Sequence, residues 1–355
     1  MRKLRVGLVF GGRSGEHEVS IRSAASIYKL LDKDKYEIEL IGVDKNGGWH
    51  VVDQKWLPSG SEMKSLAPAN TGLVSSVDEG EIVKAGGKKI DVFFPIIHGS
   101  FGEDGSLQGF FELLDVAYVG SGVLGSAVGM DKDVSKRLLL QAGLKVAKFV
   151  VLRDIQELDK SLAQIRKLGW PIFVKPVNMG SSVGVTKVLR ENDLKKAILD
   201  AFKYDTKVIV EEAIVGREIE CSVLGNGDPI ASVPGEIKST HDFYDYEAKY
   251  IDENGAELII PADLTNGQSQ KIQQTALAAY KILECSGMAR VDMFFTKKGE
   301  ILINEINTLP GFTNISMYPQ LWEKSGISYP DLLDRLIRLA LDKKDSKDGL
   351  KRSFG

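Results

Sequence analysis

Cysteine is nearly absent from this sequence: 355 residues hold two, Cys221 and Cys285. They lie far apart and match no metal-binding spacing, so both read as buried thiols of a reducing compartment. Histidine is as scarce, with His17, His50, His98 and His241 as the complete set. Long apolar runs are lacking too. The N-terminal run Val6 to Phe10 is stopped by glycines, too short for a signal-peptide core, and nothing approaches the roughly 20 apolar residues of a membrane span. That predicts a cytoplasmic protein without membrane contact. There is no surplus of positive charge: 46 Lys and Arg stand against 49 Asp and Glu. A general nucleic-acid binder would carry a basic excess, so that class is excluded, although a local basic pocket for a small anion is not.

What is present is an ordinary globular composition, 43% hydrophobic and 27% charged, long enough for two or three domains. In the first third, strands ("LRVGLVF", "YEIELIGVD", "DVFFPIIHG", "AYVG") alternate with helices from Val19 and over "SLQGFFELLDV". That order predicts a parallel sheet covered by helices, with ligands at the carboxyl ends of its strands. "GGRSGEHE" and "HGSFGEDG" sit at such ends. Near "GSGVLGSAVGMDK" a boundary is expected. A smaller α/β unit follows: helices over 132–142, 156–168 and 192–204, and strands "KFVVL", "PIFVKP", "VGVTKVL" and "KVIVEEAI". A third unit begins near Gly216 with strands "REIECSVLG", "DPIASVPGEI", "ARVDMFFT" and "EILINEIN" and a helix near 329–341; the charged tail "DKKDSKDGLKRSFG" is expected to fray.

Two stretches carry chemistry. "FVKPVNMGSSVGVTKV" contains G-x-S-x-G, the pattern of a hydrolase nucleophile elbow with Ser182 as nucleophile. An elbow needs a helix directly after the serine, whereas "VGVTKVL" is β-branched and reads as a strand. In hydrolase order only His241 follows Ser182. A Walker loop places its lysine after the glycines, whereas Lys175 precedes them. Small consecutive residues can still turn backbone N–H groups into an anion concavity, with Lys175 adding charge. The stretch fits a phosphate cradle and a glycine-rich hairpin without ligand alike.

The second is "ARVDMFFTKKGEILINEINTLPG". A two-residue turn at Lys298-Gly299 would set Asp292 opposite Glu305 and Arg290 opposite Asn307. Residues two apart share a strand face, so all four would converge. Hard oxygen donors of this kind suit Mg²⁺ shared with substrate phosphates, and two ions can clamp a transferring phosphoryl group. Arg290 could neutralise an anion formed in the transition state. The rival is a cross-strand ion pair on a wet face, which the apolar "ILINEIN" context disfavours.

In combination these runs resemble the ATP-grasp fold and, more narrowly, the D-alanine–D-alanine ligase family. The resemblance rests on "FGGRSGEHEVS", "HGSFGEDGSLQGFFELLDVAYVGSGV", "MDK", "VKPVNMGSSVGV", "VIVEEAIVGREIE", "FYDYEAKY", "RVDMFF" and "NEINTLPGFTNISMYP", which span Phe10 to Pro319. It implies a Rossmann-like substrate domain (1–122), a central ATP-grasp domain (123–213) and a C-terminal ATP-grasp domain with metal site and lid (214–355). It implies that Lys132, Lys175, Ser182 and Val183 meet ATP phosphates; Glu211, Glu212 and Ile214 hold adenine; Glu218 binds ribose; and Phe243, Lys249 and Asn304 complete the ATP site. Asp292, Glu305 and Asn307 would bind two Mg²⁺, with Mn²⁺ able to substitute. Glu18 would take the first D-alanine's ammonium, grouped with Ser181 and Tyr250, and His98 would sit near its carboxylate. Arg290 and the Gly311 N–H would stabilise the oxyanion, and Ser316 would hold the second carboxylate. The segment from Ser239 to Ala256 would be the lid, and the assembly a homodimer. Each assignment has a plainer rival: Glu18, for example, also suits a helix dipole. The implied activity is ATP-dependent D-alanyl-D-alanine synthesis for peptidoglycan precursors. Its rivals are another ATP-grasp amino-acid ligase, a D-alanine–D-lactate ligase, and a nucleotide-binding module without turnover. Relatives that make the depsipeptide replace the tyrosine at 250, so its presence favours an amine nucleophile.

Overall fold

A computed structural model describes residues 2–57, 84–85, 88–239 and 256–351. The N-terminal sheet has strand order Trp49–Val52, Tyr36–Val43, Leu4–Gly11, Val92–Pro95, Ala117–Tyr118. All neighbours are parallel except Trp49–Val52, which folds back antiparallel on Tyr36–Val43. Leu4–Gly11 is central and almost wholly buried. Its apolar run therefore shows no alternation, as a strand covered on both faces requires. The chain passes from Leu4–Gly11 to Tyr36–Val43 on one side and from Val92–Pro95 to Ala117–Tyr118 on the other, a reversal of strand order that opens a crevice at the carboxyl ends of Leu4–Gly11 and Val92–Pro95. Gly12 lies there at φ +94°, and a Cβ on it would meet Ile97 Cγ2 at 2.6 Å, so no larger residue fits.

The second sheet is antiparallel, ordered Thr186–Val188, Ile172–Pro176, Val208–Glu212, Phe149–Leu152. Its buried face packs on the helices Leu158–Arg166 and Leu194–Ala201. The third runs Ala256–Ile259, Gly235–Ser239, Gly216–Gly225, Gly287–Thr296, Ile301–Asn307, with Ile230–Ala231 beside Gly216–Gly225. "DPIASVPGEI" is thus two strands. Pro234 has no N–H for a ladder, and the pairing stops there. The helix Asn266–Ile282 covers the third sheet with Ile272, Ala276, Ala279 and Tyr280. Sequence reading passed over it, although Thr265 and Gln268 form a capping box at its start.

The C-terminal helix runs from Tyr329 to Asp348, well beyond the expected end. Leu332, Leu333, Leu336 and Ile337 join Val6, Leu8 and Phe10 in one core, so the end of the chain packs on its first strand. The charged tail does not fray before Asp348 because its lysines have partners. Lys343 Nζ donates to the Gly120 carbonyl at 2.7 Å, Lys344 lies 3.3 Å from Asp115, and Lys347 pairs with Glu112.

Candidate active site

The Gly/Ser loop of "FVKPVNMGSSVGVTKV" joins the antiparallel strands Ile172–Pro176 and Thr186–Val188, with Thr186 opposite Val174. No helix follows Ser182, so the elbow geometry is absent. The tip is a tight turn: Val183 N–H donates to the Gly180 carbonyl at 3.1 Å, and Ser181 and Ser182 hold φ of 51° and 59°. Two adjacent non-glycine residues in the left-handed region carry a cost that native structures concentrate at ligand sites.

Lys175 shares a strand face with Phe173 and lies diagonally across from Glu211. Its Nζ is 2.7 Å from Glu211 Oε2, while Lys136 Nζ is 2.8 Å from Glu211 Oε1. Burial alone would raise the Glu211 carboxyl, but the Lys136 and Lys175 ammoniums outweigh it and bring it to about 2. Burial pushes Lys136 down against the pull of Glu211, whereas the charge of Glu211 overcomes burial and lifts Lys175. Because the folded value of Glu211 lies below its ordinary 4.5, its stabilising contribution is complete above pH 4.5 and is lost as pH falls toward about 2. A shift of this size corresponds to roughly 3 kcal/mol. Urea unfolding at stepped pH should therefore show a shallower acid loss for Glu211→Gln than for wild type. Parallel curves would mean that Glu211 is not held ionised.

The carboxylate hairpin reaches the expected pairing by two compensating departures. The turn has three residues rather than two: Thr296 N–H donates to the Glu300 carbonyl at 2.9 Å, and Gly299 takes φ +75°. This sets Phe295 opposite Ile301 and Met293 opposite Ile303, one residue out of the anticipated register. A β-bulge then absorbs Asn304, which restores Asp292 opposite Glu305 and Arg290 opposite Asn307. Lys136 Nζ donates to the Asn304 carbonyl at 3.0 Å, at the bulge itself. Arg290 forks onto Asp292 with two bonds of 2.7 Å and also lies 2.8 Å from Glu220. Lys132 Nζ is 3.3 Å from Glu305 and donates to the Met179 carbonyl at 2.8 Å, which ties the hairpin tip to the acidic face.

Among the described residues, no three His, Cys, Asp or Glu side chains are placed together to hold a metal. Asp292, Glu305 and Asn307 are nevertheless an all-oxygen set, and both carboxylates already face a cation, Arg290 or Lys132. The donor chemistry fits Mg²⁺. Asn307 Oδ1 also accepts from the Leu309 N–H at 3.0 Å, which fixes its amide.

The expected grouping of Ser181 with Glu18 is not found. Ser181 Oγ donates to Glu16. Glu18 instead pairs with Lys45 at 2.5 Å, which helps hold its carboxyl below the usual range against the opposing effect of burial. The physical reason is helical rotation. Glu16 is the residue before the helix His17–Leu30, and two residues along a helix turn about 200°. Both acids cannot face one loop. A Cβ on Gly99 would lie 2.9 Å from Glu16 Oε2, and one on Gly180 at 3.7 Å. Three loops therefore converge on Glu16: "GGRSGE", "HGSFGED" and the hairpin tip.

His98 is buried behind them. Its Nδ1 is 3.1 Å from the Leu309 carbonyl and 3.6 Å from Glu103, and its Nε2 is 3.2 Å from Ser23 Oγ. Burial would lower the imidazole, yet Glu103, Glu16 and the Leu309 carbonyl lift it; burial and Glu16 in turn raise Glu103. Sequence reading missed Glu16, Glu103 and Lys136. The first two lie within motifs already singled out, and Lys136 falls one helical turn after Lys132, a spacing that could have exposed it.

Gly311 and Ser316 lie together, since a Cβ on Gly311 would meet Ser316 Oγ at 2.8 Å. The Ser316 hydroxyl accepts from the Thr313 N–H at 2.9 Å. Glu212 caps the Lys148 N–H at 2.8 Å through its side chain. Ile214 is half-buried just beyond that strand. Glu218 is half-buried two residues before Glu220, on the Arg290 side of the third sheet. Phe243, Lys249 and Tyr250, with most of the expected lid, lie outside the described residues.

Models of two protein families match the chain, the D-ala D-ala ligase N-terminus over residues 5–121 and the D-ala D-ala ligase C-terminus over residues 138–338. A D-alanine–D-alanine ligase of Oceanobacillus iheyensis is 53% identical over 361 residues, covering 99% of each chain. The structure of the D-alanine–D-alanine ligase from Coxiella burnetii superposes with a TM-score of 0.85 at 40% identity, covering 98% of this chain and 97% of that one. The VanG D-Ala:D-Ser ligase from Enterococcus faecalis reaches the same TM-score at 37% identity, covering 96% of this chain and 100% of that one.

Proposed function

This chain belongs to the D-alanine–D-alanine ligase family, of ATP-grasp type, and we infer from that premise how its own residues divide the reaction. It joins two D-alanine molecules at the expense of ATP, a step in making peptidoglycan precursors. ATP-grasp ligases generally require a divalent metal such as Mg²⁺. The observation that carries the residue assignment is the single face that links the phosphate-type hairpin, through Lys132, to Asp292, Glu305, Asn307 and Arg290.

In this reading the first D-alanine's carboxylate oxygen attacks the γ-phosphorus of ATP. The bridging P–O bond breaks with its electrons on ADP, giving an acyl phosphate. Lys175, Lys132 and Lys249 offset phosphate charge, and the loop from Met179 to Val185 folds over it with Ser182 and Val183. Glu211, Glu212 and Ile214 flank adenine with Phe243, Glu218 takes the ribose, and Asn304 lies beside the nucleotide. Two Mg²⁺, or Mn²⁺, held by Asp292, Glu305 and Asn307 would neutralise phosphate charge when bound. The second D-alanine's amine then attacks the acyl carbon; Arg290 and the Gly311 N–H stabilise the oxyanion, and the C–O bond to phosphate breaks. Glu16, in place of Glu18, receives the first ammonium with Ser181 and Tyr250. His98 faces that substrate's carboxylate, and Ser316 faces the second. The proton lost by the amine leaves through solvent or phosphate oxygen.

The three units 1–122, 123–213 and 214–355 would then supply first substrate, nucleotide, and metal with lid. We place the enzyme in the cytoplasm as a homodimer. Among the described residues no helix is long and apolar enough to cross a membrane.

The test is ADP release with ATP and Mg²⁺ across second substrates. D-alanine should drive release, with D-lactate and L-amino acids far behind. D-serine belongs in the panel because of the structural likeness to a D-Ala:D-Ser ligase. Without D-alanine-dependent release the assignment fails. Ser182→Ala should keep measurable ligase activity, because Ser182 is not a nucleophile; isolation of a covalent adduct on Ser182 would overturn that.

A further inference from the structure

Lys136 belongs to none of the groups assigned above, yet it is a charged side chain in a costly place. It is 1% exposed, on the helix Lys132–Gln141, one turn beyond Lys132. Burying an ammonium is unfavourable unless close partners return the lost hydration. Lys136 has two such partners on different sheets: Glu211 Oε1 at 2.8 Å and the Asn304 carbonyl at 3.0 Å. Glu211 is shared between two lysines, one per oxygen, since Oε2 faces Lys175 at 2.7 Å. The three side chains therefore sum to one positive charge. Their exposure differs in order: Lys136 1%, Glu211 3%, Lys175 15%. The surplus charge meets solvent at Lys175, the most exposed of the three.

We propose that Lys136 is a positioning residue that neutralises Glu211 from behind and so leaves the charge of Lys175 available to nucleotide phosphates. Without Lys136, Glu211 and Lys175 would form a closed neutral pair. The site would then lose a unit of positive charge although Lys136 touches no substrate. The same ammonium braces the Asn304 bulge that brings Glu305 opposite Asp292, which couples the phosphate side to the acidic hairpin. The inference rests on the nucleotide reading given above.

Calorimetric titration of the full-length protein with ADP and, separately, with adenosine tests it, because adenosine lacks the phosphates. Lys136→Met should weaken ADP by about tenfold while adenosine changes less than about twofold. Lys136→Arg, which keeps the charge, should stay within about threefold of wild type for both. The double variant Lys136→Met/Glu211→Gln leaves no carboxylate to neutralise, so its preference for ADP over adenosine should return toward wild type. It removes both charges of the buried Lys136–Glu211 pair, leaves the more exposed Lys175 as the remaining charge, and carries the test if Lys136→Met alone does not fold. An unchanged ADP preference in Lys136→Met, equal impairment in Lys136→Arg, or a double variant with tenfold weaker preference would each overturn the proposal. No ADP binding by wild type would overturn the nucleotide reading and this inference with it.

Discussion

Glu305→Ala should reduce turnover by about 10³-fold or more. A metal-bound carboxylate at a phosphoryl-transfer site supports several kcal/mol of transition-state charge, and each 1.36 kcal/mol is about tenfold in rate. Glu305 has two roles in the geometry: it sits opposite Asp292 across the bulged hairpin and it receives Lys132 at 3.3 Å. Truncation thus removes an oxygen donor and frees a lysine that braces the hairpin tip. The two effects separate under Mg²⁺ titration. Loss of a metal ligand moves the half-saturating Mg²⁺ concentration upward and lowers the plateau; loss of the Lys132 contact alone leaves the Mg²⁺ dependence unchanged. Glu305→Gln should fall between, because it keeps an oxygen and loses the charge. Steady-state ADP release near wild type in Glu305→Ala would remove this hairpin from the chemistry.

Arg290→Met should cost about 10²- to 10³-fold in kcat, the usual effect of removing one preorganised oxyanion donor. It should also destabilise the fold by about 3 kcal/mol, since Asp292 and Glu220 lose the cation between them. These losses respond differently to metal. Millimolar Mg²⁺ can neutralise the two carboxylates that lose Arg290 and should restore much of the thermal stability, but it cannot restore the oxyanion donor. Thermal melts and kcat measured across the same Mg²⁺ series would show stability recovering while kcat stays low. If kcat recovered with stability, Arg290 would be a structural counter-ion and the oxyanion role would be lost.

The metal hairpin shows how far local sequence carries. Alternation in "ARVDMFFT" and "EILINEIN" placed Asp292, Glu305 and Asn307 on one face, because side-chain direction in a strand has a period of two. The expected turn was nonetheless one residue too short, and the pairing survived only through the bulge at Asn304. Nothing in the strand pattern announces that bulge. It is held by Lys136 from a helix some 170 positions earlier, a contact that exists only in three dimensions. The helix Asn266–Ile282 is a different case, since its Thr265–Gln268 capping box and the periodicity of Ile272, Ala276 and Ala279 are local signals.

Glu16 and Glu18 separate the two levels most plainly. Sequence alone determined that an acid in "SGEHEVS" stands at the carboxyl end of a buried parallel strand, where ligands bind. It determined the lysine before the Gly/Ser loop and the strand after it, which removed the nucleophile elbow. Each of these conclusions depends on neighbours within a few residues, where backbone period and turn chemistry act. Which acid faces the loop was decided by the start of the helix at His17, which turns Glu18 toward Lys45 and leaves Glu16 to Ser181. That His98 is joined by Glu103, and that one carboxylate is divided between Lys136 and Lys175, was likewise decided by tertiary packing. Charges far apart in the chain become coupled only when burial removes the water between them, and tertiary structure alone supplies that burial.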